Sequence, residues 1–305
     1  MCPRIVAVFG ATGTQGSSVV KALLGDGTFI PRAVTRNPRS ERALKLKELG
    51  AQVVQADQWD IQSLKNALTG VEAVFGITDY YDPKTSAQGH ASEMLLGKNM
   101  VDAAVQTGVQ LFIWSSVPHS TRASNGKYPN VHHLDNKANI EDYLRDSSLP
   151  HSILHTGWFC ENTWNFNCLT SSSDSSSFQL TIPKYDPHSQ QYMTWVDRDL
   201  GQCALALLKN YKNSEAGVLG ETFYAVSDKL SYTQYASLLQ QALGKSVRFV
   251  TSPTCGMLEL DEMYSFQSEF GLYPHAPIPD SRLERLGVKF HPVRLFVEEA
   301  KKRYV

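Results

Sequence analysis

Residues 4–16 read RIVAVFGATGTQG, and this stretch decides the fold. Ile5–Phe9 is a short apolar run rich in β-branched residues, the pattern of a buried strand. Gly10, Gly13 and Gly16 follow at once, and Ser17–Leu24 then reads as a helix with Val19, Val20, Leu23 and Leu24 on its buried side. Strand, glycine turn and helix form the first half of a βαβ unit. In such a unit Gly10 makes the tight turn, Gly13 lets backbone approach a pyrophosphate, and Gly16 lets the helix pack closely. The first-turn N–H groups of a helix are unpaired and partly positive, so a phosphate can sit there.

Downstream, strands and helices keep alternating. Ile30–Thr35 reads as the second strand, Ser40–Leu49 as an amphipathic helix stopped by Gly50, and Val53-Val54 as a short third strand. Ile61–Leu68 is the next helix and Ala73–Ile77 the fourth strand. Gly89–Thr107 is a long helix, and Leu111–Trp114 a fifth strand ending at Ser115-Ser116. A loop over Val117–Val131, a helix over His132–Leu144 and a strand over Ser152–His155 complete the rhythm. This alternation predicts a doubly wound parallel Rossmann sheet of the α/β class. It breaks down near residue 155. The expected division is therefore a dinucleotide-binding domain over 1–155, completed by elements near 194–226, and a smaller α+β substrate-binding domain over 156–305. In that second part Ser171–Ser177 reads as a mobile serine-rich loop. Residues 195–208 read as helical after Asp197, Glu221–Val226 as a strand and Val247–Val250 as a short strand. Ser231 reads as the N-cap of Tyr232–Leu243, and a last helix falls near Leu295–Arg303.

Ligands of a parallel sheet lie at the carboxyl ends of its strands. That makes Asp57, Gln58, Thr78 and Asp79 candidate cofactor contacts by position. About 20 residues beyond the last glycine an NAD site places Asp or Glu on the ribose hydroxyls; this chain has Arg36. A guanidinium there pairs with a 2′-phosphate in a charge-assisted fork, so the sequence points to NADP(H), with Arg32 and Arg39 close by.

The chain has 305 residues with 29 basic and 30 acidic side chains, a net charge of −1. That balance offers no basic footprint for nucleic acid and no block for an anionic membrane. No apolar run approaches the ~20 residues needed to span a bilayer. Met1-Cys2-Pro3-Arg4 leads straight into the first strand, so no signal peptide and a cytoplasmic location are expected. Cys2, Cys160, Cys168, Cys203 and Cys255 are scattered without a CxxC pair, as expected of reduced thiols and not of a zinc site.

Taken together, VFGATGTQG (8–16), VTRNPRS (34–40), ADQWD (56–60), QGHASEMLLGKNMVDAA (88–104), FIWSSVP (112–118), TGWFCENTWNF (156–166), PKYDP (183–187) and TWVDRDLGQCALALL (194–208) resemble the NmrA-like branch of the atypical short-chain dehydrogenase/reductases. The resemblance runs in order through most of residues 4–250. It implies a Rossmann domain, a small C-terminal domain and NADP(H) in the cleft between them. It implies cofactor contacts from the glycine turn (Gly10, Thr12, Gly13, Thr14, Gln15, Gly16), from Arg36, Asp57, Gln58, Thr78 and Lys137, and from the segment holding Phe159, Cys160 and Asn162. Some members of that branch resemble quinone or isoflavone-type reductases, and others bind the dinucleotide as redox-sensing regulators.

The superfamily's usual acid/base motif is Tyr-x-x-x-Lys. Here it is His133-x-x-x-Lys137, with the lysine kept and the tyrosine replaced. Lys137 can hydrogen-bond ribose hydroxyls or move a proton, and His133 has an ordinary pKa suited to the second task. Ser115 and Ser116, at a strand end, can orient a carbonyl oxygen or cap backbone. Tyr128, nine residues before Lys137, belongs to a loop and has no special standing by spacing. Tyr80, Tyr81, Trp158, Phe159, Trp164, Phe166 and Trp195 crowd the expected cleft and suit a flat apolar or aromatic substrate. These features favour an NADP(H)-dependent oxidoreductase acting on an apolar carbonyl, quinone or enone. The alternatives are an NADP(H)-sensing regulator without turnover, for which a protein partner is possible, and a redox-neutral isomerase or dehydratase.

Overall fold

The computed structural model describes residues 3–174 and 176–304; Cys2 of the five cysteines lies outside them. The first half runs β1 (Ile5–Val8), α1 (Thr14–Asp26), β2 (Ile30–Thr35), α2 (Glu41–Glu48), β3 (Gln52–Gln55), α3 (Ile61–Leu68), β4 (Ala73–Gly76), α4 (Pro83–Ala87), α5 (Ser92–Thr107), β5 (Leu111–Ser116), α6 (Ser120–Ala123), α7 (His132–Asp146) and β6 (His151–Thr156). The second half runs β7 (Trp158–Phe159), α8 (Asn162–Asn165), β8 (Leu169–Ser171), β9 (Ser177–Pro183), β10 (Gln190–Thr194), a π-turn over Val196–Leu200, α9 (Gly201–Asn210), β11 (Thr222–Ala225), β12 (Asp228–Ser231), α10 (Tyr232–Leu243), β13 (Ser246–Ser252), α11 (Leu258–Phe270), α12 (Ser281–Arg285) and α13 (Val293–Ala300).

Seven strands form one sheet in the order β3-β2-β1-β4-β5-β6-β11, every neighbouring pair parallel. The central strand shows why the run Ile5–Phe9 is apolar throughout. Val6 and Val8 enter one core with Val19, Leu23, Leu200 and Leu207, while Ile5, Ala7 and Phe9 enter another with Leu64, Met100 and Ile140. A strand covered by helices on both faces has no side left for polar residues. The strand order reverses between β1 and β4, which opens a crevice at their carboxyl ends.

The chain leaves this sheet after β6 and returns with α9 and β11. α9 packs beside α1, where the Ser18 hydroxyl donates to the Val196 carbonyl at 2.6 Å and accepts from the Gly201 amide at 3.1 Å. Two three-stranded sheets, β12-β10-β7 and β13-β9-β8, make the smaller part with its own core around Tyr185, Tyr232, Tyr235 and Phe266.

Several expected elements are corrected. The long helix begins at Ser92, not Gly89, because the short helix α4 and a turn occupy the residues ahead of it. The Val117–Val131 loop contains α6, capped by the His119 ring. Of the expected loop Ser171–Ser177, Ser171 ends β8 and Ser177 begins β9, an antiparallel pair, while Ser175 lies outside the described residues. Asp174 stands between the two strands in sequence, accepting from Ser172 and Ser176. The strands β9 and β10 and the helix α11 carry no expectation from sequence, and α11 proves to line the crevice.

Candidate functional site

The glycine turn is shaped by close backbone approach. Gly10 has φ +59°, in the left-handed region that disfavours a side chain. A Cβ on Gly16 would stand 2.3 Å from the Gly10 carbonyl oxygen, so α1 packs directly on the turn. A Cβ on Gly13 would meet only that carbonyl, at 3.3 Å, and Gly13 faces the open crevice as the N-cap of α1. α1 has no side-chain cap and no acidic residue in its first turn, which leaves its amino end free for an anion.

At the end of β2 Arg36 donates to Asp82 Oδ2 at 2.6 Å. Beside it Lys84 pairs with Asp57 at 3.3 Å. Of the neighbouring arginines, Arg32 turns away to the Ala67 and Thr69 carbonyls at 2.9 Å each. Arg42, which sequence reasoning missed, lines the crevice and donates to the Thr12 carbonyl at 3.3 Å. Gln58 donates to the Ile77 carbonyl at 2.9 Å and is held in turn by Asn99. The Asp79 carboxylate accepts from the Tyr81 amide at 3.1 Å and so shapes the loop after β4.

Lys137 projects from α7 into the crevice, its ammonium 2.7 Å from Glu93 Oε1. Glu93 is fully buried on α5 and also accepts from Thr78 Oγ1 at 2.5 Å, while its Oε2 has no partner among the described residues. A carboxylate so placed fixes the lysine head at the end of β4. Sequence reading had this glutamate inside a family stretch and passed over it, because a lone Glu on a helix reads as solvated. Ser115 donates to Gln15 Oε1 at 2.7 Å, tying β5 to α1, and the buried Ser116 hydroxyl faces the Lys137 carbonyl at 3.4 Å.

His133 lines the crevice with Nδ1 donating to a carboxylate, and in the neutral ring Nε2 is a bare acceptor that faces a thioether sulfur. Nδ1 lies 2.6 Å from Glu259 Oε1 and Nε2 3.3 Å from the Met263 sulfur, both on α11. Burial of the imidazole lowers its pKa, favouring the neutral ring. Burial works against the Glu259 carboxylate, but hydrogen bonds from the His133 ring and amide and from Tyr80 outweigh it and hold the group at about 2. Tyr80 also bonds His90 Nδ1 at 2.5 Å, and burial together with Glu259 raises its pKa.

Every other expected cofactor contact lines one cleft of about 1210 Å³: Gly10, Thr12, Gly13, Thr14, Gln15, Gly16, Arg36, Asp57, Gln58, Thr78, Asp79, Lys137, Phe159 and Asn162. Cys160 does not. Its thiol is wholly buried in the second core, and burial raises its pKa, which leaves an inert thiol. Trp164 and Trp195 are also outside the cleft, packed on Phe296, whereas Tyr80, Tyr81, Trp158, Phe159 and Phe166 line it. Tyr128 bonds Glu269 at 2.7 Å away from the cleft. Among the described residues no His/Cys/Asp/Glu group could hold a metal, and no helix is long and apolar enough to cross a membrane.

The sequence model of the NmrA-like family matches residues 3–281. The chain belongs to the NmrA-like family. An NmrA-like family oxidoreductase of Aspergillus campestris is 32% identical over 262 residues, covering 81% of this chain and 75% of its own length. NmrA, a negative transcriptional regulator solved with NADP, superposes with a TM-score of 0.80 at 19% identity, covering 99% of this chain and 97% of its own. An NADPH-dependent quinone oxidoreductase of Escherichia coli superposes with a TM-score of 0.72 at 22% identity, covering 98% of this chain and 99% of its own. The NmrA-like fold is thus shared by a regulator and a reductase.

Proposed function

We propose that this NmrA-like chain is an NADP(H)-dependent reductase of a flat apolar carbonyl, quinone or enone. The observation that carries the reading is one continuous cleft running from the glycine turn to an aromatic compartment, with Lys137 fixed on buried Glu93 beside it. The residues present fit the dinucleotide. The uncapped amino end of α1 suits the pyrophosphate, Arg36 the 2′-phosphate and Lys137 the ribose hydroxyls next to nicotinamide. When bound, the nicotinamide supplies the hydride; the protein supplies position, exclusion of water and a proton. Trp158, Tyr264, Leu260 and Met263 line the compartment beyond it and suit an apolar ring. Lys137 is the group best placed to move the proton, because the one ring proton of neutral His133 is held on Glu259 and its Nε2 faces the Met263 sulfur. The oxidoreductase relatives support this reading.

One observation favours the regulator: the residue replacing the superfamily's tyrosine is held as a structural tie. NADPH oxidation measured against quinones, enones and aldehydes separates the two, with direct NADPH titration alongside. The expected result is turnover in wild type that falls by ~10²-fold or more in Lys137→Met. NADPH affinity falls less, since a hydrogen bond to a charged group contributes ~1.5–3 kcal/mol. Turnover that survives Lys137→Met unchanged removes the lysine from proton transfer, and NADPH binding without turnover on any substrate favours the sensor.

A further inference from the structure

The residue after β2 that would read the adenosine ribose of NAD(H) is basic in this chain, but an acid reaches the same place from elsewhere. Asp82 comes from the loop after β4, 46 residues from Arg36, and its Oδ2 lies 2.6 Å from Arg36 Nη2. Both residues line the cleft. The two partners are unequally placed: the Arg36 side chain is 54% exposed and that of Asp82 10%. Asp82 Oδ1 is already occupied by the Lys84 amide at 3.0 Å, so Oδ2 is the oxygen left for Arg36 or a ligand.

Resting on the dinucleotide reading of this cleft, we propose that Asp82 is a specificity-determining residue. Its carboxylate accepts the adenosine 2′-hydroxyl of NAD(H), and by holding Arg36 it limits the preference for the 2′-phosphate of NADP(H). A 2′-hydroxyl can donate to a carboxylate in a charge-assisted bond while the Arg36–Asp82 pair stays intact. A 2′-phosphate cannot. It brings negative charge against Asp82 and must draw Arg36 away, and a largely buried carboxylate stripped of its partner is costly. Lys84 offers little relief, because it is paired with Asp57. The pair therefore serves both cofactors and gives a smaller preference for the phosphate than Arg36 alone would give.

Asp82→Asn isolates the charge. Asp82 is also the N-cap of α4, accepting from the Lys84 amide, and Asn caps as well as Asp. Asp82→Ser keeps a capping oxygen with a different shape and guards against a folding artefact. Calorimetric titration with NADPH, NADH, 2′,5′-ADP and 5′-AMP is done on wild type, both variants, Arg36→Ala and the Arg36→Ala/Asp82→Asn double variant. The expected result is a rise of at least about tenfold in the NADPH-to-NADH affinity ratio in both single Asp82 variants, repeated in the ratio of 2′,5′-ADP to 5′-AMP. In the Arg36→Ala background the part of the gain that comes from freeing Arg36 vanishes and only the relief of the Asp82 charge against the phosphate remains, so the gain is smaller, and the difference measures the pair. A ratio unchanged or lowered in both variants overturns the proposal and makes Asp82 a positioning residue for Arg36. Wild type that binds neither dinucleotide overturns the cofactor reading itself, and the proposal with it.

Discussion

At its dinucleotide end the cleft is made by backbone within residues 8–16, where α1 rests on the Gly10 carbonyl; at its aromatic end it is made by side chains that meet from afar. His133 and Glu259 are 126 residues apart, and Tyr80 and Glu259 are 179 apart. Backbone contact tolerates no change of residue at a few positions, and so it writes itself into a short run of sequence. Side-chain contact between distant elements leaves only scattered polar residues, each of which reads as solvated until its partner is known. The first kind of construction is rigid and generic for a dinucleotide; the second is where members of one family can diverge in substrate.

The sharpest way to break this contrast is inside the turn. Gly16→Ala puts a methyl 2.3 Å from the Gly10 carbonyl oxygen, and 2.7 Å from the Ala11 Cα, all backbone that cannot step aside. The expected loss is about 3 kcal/mol of unfolding free energy in urea, the upper range for an overpacked site. Gly13→Val meets only one oxygen at 3.3 Å, at an ordinary φ of −93°. It is expected to fold with little loss and to lose roughly 100-fold in NADPH affinity, about 2.8 kcal/mol. If Gly16→Ala is as stable as wild type, or Gly13→Val binds NADPH unchanged, the turn is not built as described.

A smaller effect tests the other end. The Glu259 carboxyl is held at about 2, below its ordinary 4.5. The unfolded chain takes up a proton there before the folded one does. Its stabilisation is therefore complete above pH 4.5 and lost as pH falls towards 2. The imidazole of His133 is lowered below 6.5 by burial, so stability also declines as pH drops through 6.5 and the unfolded state protonates first. Urea unfolding from pH 7.5 to 3 is expected to show both declines in wild type. Glu259→Gln is expected to cost about 1.5–3 kcal/mol at pH 7 and to flatten the decline below 4.5. Parallel pH curves for the two proteins would mean that the His133–Glu259 tie does not hold α7 to α11.

How much of this was legible follows the same division. The parallel sheet, the glycine turn and most strand-end residues could be read because each rests on local periodicity or position. Arg36 was readable as a cation, but its partner Asp82 was not, being 46 residues away and looking like any N-cap before a proline. Glu93 was hidden because a charged residue within a helix gives no sign that it is fully buried. Cys160 went the other way. Its segment borders the cleft, yet the thiol turns into the core, and only packing decides that. The helix α11 did leave a signal, Glu259 and Asp261 in its first turn ahead of Met263, Tyr264 and Phe266, an acidic start suited to the helix dipole. That signal says helix and not cleft wall; the second role emerges only once the packing of α11 on β9 and β10 puts it there.

In the reaction proposed for this cleft a hydride crosses from a dinucleotide held at the backbone-built end to a substrate held at the aromatic end. NADPH carrying deuterium in both C4 positions of the nicotinamide, mixed with wild-type protein and each member of the panel of quinones, enones and aldehydes, tests this most directly. Reduced enones and aldehydes hold the label in a C–D bond and are read by mass spectrometry; hydroquinones exchange it with water and are read by the isotope effect on NADPH oxidation. The expected result is a carbon-bound deuterium or a slowed oxidation for at least one member of the panel, with transfer slowed further in Lys137→Met. Labelled NADPH that binds and stays unoxidised across the whole panel would contradict this and leave the cleft a sensor.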